Sequence, residues 1–340
     1  MRIIYKIIAL ILLVLAFNFL LEIIVPVPFA NSDSEFIKKH ADYLNNHSES
    51  EVLFLGSSRV KHHIIPYVFD TSLNENRTLD SYNLGVSLLT PPHSYYLLEE
   101  ILNHPAEDLK FIIIEMERVT VSKKQEACHF LDADAVFFSG KAILDSEMSY
   151  YKREFFTQLG LEYFRGLMNY GFLSEYPLNM KYSSDIDGLY QRGFMSIDQQ
   201  YIRSGNNKLL ARRHNLDSLE LAQKKAINTP LHDSIDHINQ THLDKINDLI
   251  ELSNDRGIRL IFLLGTRTEF DHKELRELYN AISPHHKIDL GNSIKFPELY
   301  SKEYYWDRGH YNEKGAILYT KTLAKEFDSL VSLHPIENLN

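Results

Sequence analysis

Three short, largely apolar runs, broken only by Arg259 in the third, constrain this chain more than any other feature. Val52-Leu53-Phe54-Leu55 stops at Gly56, Phe111-Ile112-Ile113-Ile114 stops at Glu115, and Ile258 to Leu264 stops at Gly265. Runs this short without polar alternation read as strands buried on both faces, which is the pattern of a parallel sheet. Tyr82-Asn83-Leu84-Gly85 reads as the end of another strand, and Lys287-Ile288-Asp289-Leu290 as a last short one. Helical patterns lie between them. Val60 to Ser72 is helical but interrupted by Pro66. Pro91-Pro92 opens a helix carrying Tyr95, Tyr96, Leu97, Leu98 and Ile101. His242 to Arg256 ends at Gly257, His272 to Ile282 is stopped by Pro284, and Glu313 to Phe327 closes the pattern. Strand and helix in alternation predict an α/β fold, a parallel sheet with helices on both faces.

Such sheets build their sites at the carboxyl ends of the strands. Here those ends carry Gly56-Ser57-Ser58-Arg59, Asn83-Leu84-Gly85, Glu115-Met116-Glu117 and Gly265-Thr266-Arg267. The topology is expected to bring these distant segments to one rim.

The alternation breaks between residues 120 and 236. That stretch is rich in Tyr, Phe, Asn and Asp and has no clean βα period. It reads as a mostly helical, aromatic-rich insertion; the plainer alternative is more core. It is too long for a bare loop and must pack on something. The α/β domain is thus divided into 31–119 and 237–330.

At the N-terminus, Arg2 and Lys6 precede an apolar run from Ile7 to Leu21 that resumes after Glu22. It is about long enough to cross a bilayer as a helix, which takes roughly 20 residues. The basic flank predicts a cytoplasmic N-terminus, a transmembrane anchor within 1–30 and an exported main domain. A cleaved signal peptide is the competing reading, with Ala30 at a suitable position and Pro28 at a poor one. The net charge of −10, with no basic stripe, argues against nucleic acid as a partner. Cys128 is the only cysteine, so neither an internal disulfide nor a cysteine-ligated metal is expected.

Two short motifs carry chemistry. In Gly56-Ser57-Ser58-Arg59 a serine enters a helix directly after a strand, where unpaired backbone N–H groups can stabilise an oxyanion. The bland alternative is a serine that only caps the helix. Asp307 and His310 stand three apart ahead of the last helix. That spacing lets the carboxylate hold one imidazole nitrogen while the other faces outward, as a general base beside serine requires. A surface Asp–His pair is the alternative.

In these blocks the chain resembles the SGNH or GDSL hydrolases, whose first block is a Gly-Asp-Ser-type turn and whose last is Asp-x-x-His. The likeness covers about 50–120 and 240–328. It implies a three-layer, flavodoxin-like fold with Ser58 as nucleophile, Ser57 as the fallback, His310 as base and Asp307 as its orienter. It also implies an oxyanion hole from the Ser58 and Gly85 N–H groups, Gly85 lying in the Asn83-Leu84-Gly85 block. The chain departs from the family twice. Ser57 replaces the aspartate of the first block. Glu115 and Glu117 stand where the family offers an asparagine donor, and an ionised carboxylate cannot donate. These departures are similar to a membrane-anchored branch that includes D-alanyl transfer and exopolysaccharide O-acetylation proteins. That likeness implies an acylated glycan or lipid-linked substrate and a multi-pass membrane O-acyltransferase as a partner.

Arg59 is expected to pair with Glu115 or Glu117, or to bind an anionic substrate. His62-His63 and His285-His286 are no metal site on this reading, because adjacent histidines point apart and no carboxylate cluster accompanies them. No cofactor is expected. Two functions compete: a serine esterase or O-acyltransferase, and an accessory protein of envelope polysaccharide modification that keeps the fold without the chemistry.

Overall fold

Each apolar run forms a strand, and the strands lie side by side. The computed structural model describes residues 35–75, 77–119, 190–204, 238–267 and 272–334, with isolated positions at 4–6, 9–10, 12–13, 16 and 142. Strands β1 (Val52–Gly56), β2 (Ser81–Gly85), β3 (Phe111–Glu115), β6 (Arg259–Leu264) and β7 (Lys287–Asp289) form one five-stranded parallel sheet in the order β2-β1-β3-β6-β7. Strands β4 (Tyr190–Gln191) and β5 (Phe194–Met195) form a separate antiparallel hairpin.

Pleating sends alternate residues to opposite faces. Leu53, Leu55, Ile112, Ile114, Leu260 and Phe262 pack into one core, together with Tyr43 of α1 (Glu35–Asn46) and Leu98 of α4 (His93–Asn103). The same core takes Leu249 of α6 (Gln240–Asp255) and Leu275 of α7 (His272–Ala281). Val52, Phe54, Phe111, Ile113 and Ile261 pack into the other, beneath α2 (Ser58–His63), α3 (Pro66–Ser72) and α8 (Glu313–Leu333). Helices therefore cover both faces. On the second face Phe54 meets Phe69 edge-on at 5.0 Å, and Phe69 and Phe111 both meet Phe327. Truncating one such ring to alanine costs about 3–5 kcal/mol.

Pro66 divides the helix predicted over Val60–Ser72 into α2 and α3, since its ring cannot continue the preceding turn. The last helix runs on to Leu333, because Leu330 and Val331 still reach the core. Within 120–236 the described residues are Ala142 and 190–204, which carry the hairpin and α5 (Ile197–Ser204); the rest of the expected helical insertion, Cys128 included, lies outside the described residues. The anchor expected within 1–30 also lies outside them, save for isolated positions. Among the described residues no helix is long and apolar enough to cross a membrane.

The register aligns the carboxyl ends: Gly56 pairs with Gly85, Leu55 with Ile114, and Glu115 with Leu263. Strand order reverses between β1 and β3, the place where an open α/β sheet leaves a crevice. Ser58 follows the first of these strands and Glu115 ends the second.

Candidate active site

The turn after β1 sorts the two serines. Ser57 is the N-cap of α2, its Oγ accepting the Arg59 N–H at 3.2 Å. The same hydroxyl donates to Glu115 Oε2 at 2.7 Å, and the Ser57 N–H donates to that oxygen at 2.9 Å. Ser57 is thus buried and turned inward. Ser58, the first residue of α2, faces the other way, and its Oγ lies 2.9 Å from His310 Nε2. Capping and nucleophile geometry, alternatives for one serine in the sequence, fall on two adjacent ones.

The Asp307–His310 loop is braced by its own backbone. Tyr305 and Tyr311 form an antiparallel bridge, and Trp306 N–H donates to His310 O at 2.9 Å. Inside the loop Asp307 Oδ1 accepts from Gly309 N–H at 2.8 Å, His310 N–H at 2.9 Å and His310 Nδ1 at 2.9 Å. Burial pushes the Asp307 carboxyl upward. The hydrogen bond and charge of His310, with the two backbone donors, outweigh that and hold it below its ordinary value. With Nδ1–H committed to Asp307, Nε2 is left to accept the Ser58 hydroxyl proton.

Two further imidazoles flank His310. His62 stands one helical turn after Ser58, and its Nδ1 bonds to Met195 O at 2.7 Å. His63 Nε2 accepts Tyr311 N–H at 3.1 Å. Their ring centroids lie 5.5 and 6.2 Å from that of His310. Burial holds both well below the ordinary histidine value, so both are neutral. The sequence marked this pair only as a weak metal candidate. The informative signal was the four-residue spacing of Ser58 and His62, which puts both on one helix face.

Behind the serine turn lies a buried cluster of charges. Arg59 Nη1 is 2.6 Å from Glu117 Oε1, and Arg267 Nη2 is 2.5 Å from the same oxygen. Glu115 Oε1 is 3.8 and 3.9 Å from the same two guanidinium atoms. Arg59 therefore pairs across the strand ends, as one of its two readings expected. Arg267 was not singled out in the sequence, although its strand-end position after β6 offered the clue.

The expected oxyanion donors need one correction. Gly85 N–H is already spent, donating to Asn83 Oδ1 at 2.8 Å. Asn83 is fully buried, and its Nδ2 donates to Val60 O at 2.8 Å and Ile64 O at 2.6 Å, tying α2 to β2. An asparagine two residues before a glycine satisfies that N–H locally, which a motif comparison does not reveal. Among the described residues nothing accepts the Ser58 N–H, the first of α2.

The hairpin and α5 frame the site from the side. Asn83 N–H donates to Arg192 O at 2.9 Å, Ser196 Oγ bonds Glu313 Oε2 at 3.3 Å, and Glu313 N–H donates to Asp198 Oδ2 at 2.7 Å. Part of the inserted segment is thus fastened to β2, α2 and the start of α8. Among the described residues no group of three or more His, Cys, Asp or Glu side chains could hold a metal ion. His286 Nδ1 is engaged with Leu260 O at 2.8 Å. No protein-family model, no curated protein and no solved structure matches the chain.

Proposed function

We propose that this chain is a serine esterase or O-acyltransferase of the SGNH type, working through an acyl-serine intermediate. One observation carries the reading: a continuous hydrogen-bonded line from Ser58 Oγ through His310 Nε2 and Nδ1 to the Asp307 carboxylate. These residues come from opposite ends of the chain, and their order of contacts is what nucleophilic catalysis by serine needs. The strand order of the sheet and the place of Ser58 after β1 support the three-layer, flavodoxin-like form of the fold.

In this mechanism Ser58 Oγ attacks an acyl carbonyl carbon while His310 Nε2 takes the hydroxyl proton. Asp307 holds the ring and stabilises its cation. The tetrahedral oxyanion accepts from the Ser58 N–H. On collapse the ester bond breaks, and the leaving alcohol takes the proton from His310. Water or a second hydroxyl then loses its proton to His310 and attacks the acyl-serine; as the bond to Ser58 Oγ breaks, His310 returns that proton to Ser58 and the acid or new ester leaves.

The substrate class follows from the membrane-anchored relatives that the motifs resemble: an acylated envelope glycan or lipid-linked donor, met outside the cytoplasm, with a multi-pass membrane O-acyltransferase beside it. Arg2 and Lys6 ahead of the apolar run support that orientation. One observation favours the second reading, an accessory protein without turnover. Gly85 N–H is consumed by Asn83, and Glu115 presents an acceptor where a donor is needed. A fluorophosphonate probe decides. Labelling of the full chain that disappears in Ser58→Ala supports the enzyme. Absence of labelling, together with no ester turnover, supports the accessory protein.

A further inference from the structure

We infer that His63 positions the base for the second half of the reaction: by accepting the Tyr311 N–H, its imidazole keeps His310 beside Ser58 after the serine has been acylated. This rests on the serine chemistry proposed above.

Ser58 and His63 are the first and last residues of α2, and the segment that carries the base meets that helix at both ends. At the first, Ser58 Oγ lies 2.9 Å from His310 Nε2. At the last, His63 Nε2 accepts the N–H of Tyr311, the residue directly after the base, at 3.1 Å. His63 is buried, with its ring centroid 4.5 Å from that of Tyr311 and 5.5 Å from that of Tyr319. Thr320 Oγ1 of α8 lies 2.9 Å from the His63 carbonyl oxygen and accepts the Ile65 N–H at 3.0 Å. α8 therefore fixes the backbone of His63, and His63 fixes the chain next to His310. The Tyr311 hydroxyl is tied to Leu299 O at 2.8 Å, but that bond anchors the far end of the side chain, not the backbone beside the base.

The two contacts with α2 have different fates. Ser58 offers its hydroxyl proton to His310 only before acylation. Once the acyl carbon is bonded to Oγ, that hydrogen is gone and the contact lapses. His310 is still required. It takes a proton from water or a second hydroxyl as that oxygen bonds to the acyl carbon, and returns it to Ser58 Oγ as the acyl–Oγ bond breaks. The His63–Tyr311 bond involves no reacting atom, so it is the same before and after acylation. Asp307 orients the His310 ring from within the loop and cannot by itself hold the loop against α2. An imidazole suits the task. A ring nitrogen that accepts a backbone N–H carries no proton, and burial favours that uncharged ring.

The experiment follows turnover of p-nitrophenyl acetate by the full chain and, by intact-mass spectrometry, the share of chains carrying an acetyl group during turnover. Wild type is compared with His63→Phe, which keeps an aromatic ring without an acceptor, and with His63→Gln, whose amide oxygen accepts in place of Nε2. In His63→Phe turnover should fall at least about tenfold, while fluorophosphonate labelling of Ser58 falls by a smaller factor. The acetylated share should rise, and His63→Gln should recover most of the loss. A role in folding alone would lower labelling and turnover by one factor and leave the acetylated share unchanged, which would overturn the inference. So would a His63→Gln as slow as His63→Phe. If His63→Phe does not fold, wild type decides: hydrogen exchange at the Tyr311 N–H should be as slow after fluorophosphonate labelling as before it, and protection lost on labelling sinks the proposal. A wild type that neither labels nor turns over ester overturns the serine reading itself, an outcome distinct from an active wild type whose variants lack the split.

Discussion

His62 meets His310 edge to face, with ring centroids 5.5 Å apart and ring planes at 90°. The contact joins the inserted segment to the proposed base, because His62 is itself held by the Met195 carbonyl. His62→Ala should free the His310 ring and slow Ser58 labelling by about tenfold or more, while His62→Phe, which keeps the aromatic edge, should lose less. Equal losses in the two variants would show that the ring contact is unimportant.

Asp307 orients His310 through both carboxylate oxygens, at 2.9 and 3.1 Å from Nδ1, with Oδ1 also serving the Gly309 and His310 N–H groups. Asp307→Asn should reduce acylation of Ser58 by about 10³–10⁴-fold, since the amide does not hold the required tautomer. Because the folded Asp307 carboxyl is held below its ordinary value, its stabilisation is present above that value. It is lost as pH falls through the lowered one. The acid limb of the wild-type melting curve should therefore lose part of its slope in Asp307→Asn. An unchanged limb would contradict this.

Asn83 closes three buried hydrogen bonds, to Val60, Ile64 and Gly85. At about 1 kcal/mol each, and with two carbonyls and an N–H left dry, Asn83→Ala should destabilise by about 3 kcal/mol or more. Urea unfolding measures it. A change below about 1 kcal/mol would mean that water replaces the side chain.

Gly193 holds φ +81° at the tip of the hairpin, and a Cβ there would lie 2.0 Å from Asn83 O. Gly193→Ala should lift the hairpin from β2, expose residues 190–204 to limited proteolysis, and slow Ser58 labelling by loosening His62. Protection equal to wild type would show that the hairpin is held elsewhere.

Lys39 is buried against β2, with its ammonium on Gly85 O and its value drawn down to about 7 by burial. Lys61 adds to that, while Glu35 and Asp42 oppose it. An unfolded lysine keeps its proton to far higher pH. The wild type should therefore gain stability as pH rises from about 7 toward the ordinary lysine range. The melting temperature of Lys39→Met relative to wild type should climb as pH is lowered through that window and level off below about 7. A constant difference would mean that Lys39 remains charged throughout.

The parallel sheet was legible because a strand buried on both faces leaves a local mark. Val52–Leu55, Phe111–Ile114 and Leu260–Leu264 have no polar face to alternate. Asp307 and His310 were legible for the same reason, since three residues of spacing suffice to close their loop. Gly85 was read incorrectly as a donor because its motif does not disclose where its N–H points.

Local sequence thus determined the strands, the caps and the Asp-x-x-His loop, all of which depend on interactions within a few residues. The inward turn of Ser57 and the contact of Ser58 with His310, the buried imidazoles of His62 and His63, and the pairing of Glu117 with Arg59 and Arg267 were decided by tertiary structure. Each of these depends on burial and on partners 58 to 252 residues away in the chain, as Ser57–Glu115 and Ser58–His310 illustrate. A side chain's direction and its dielectric surroundings arise only when the sheet brings such partners together.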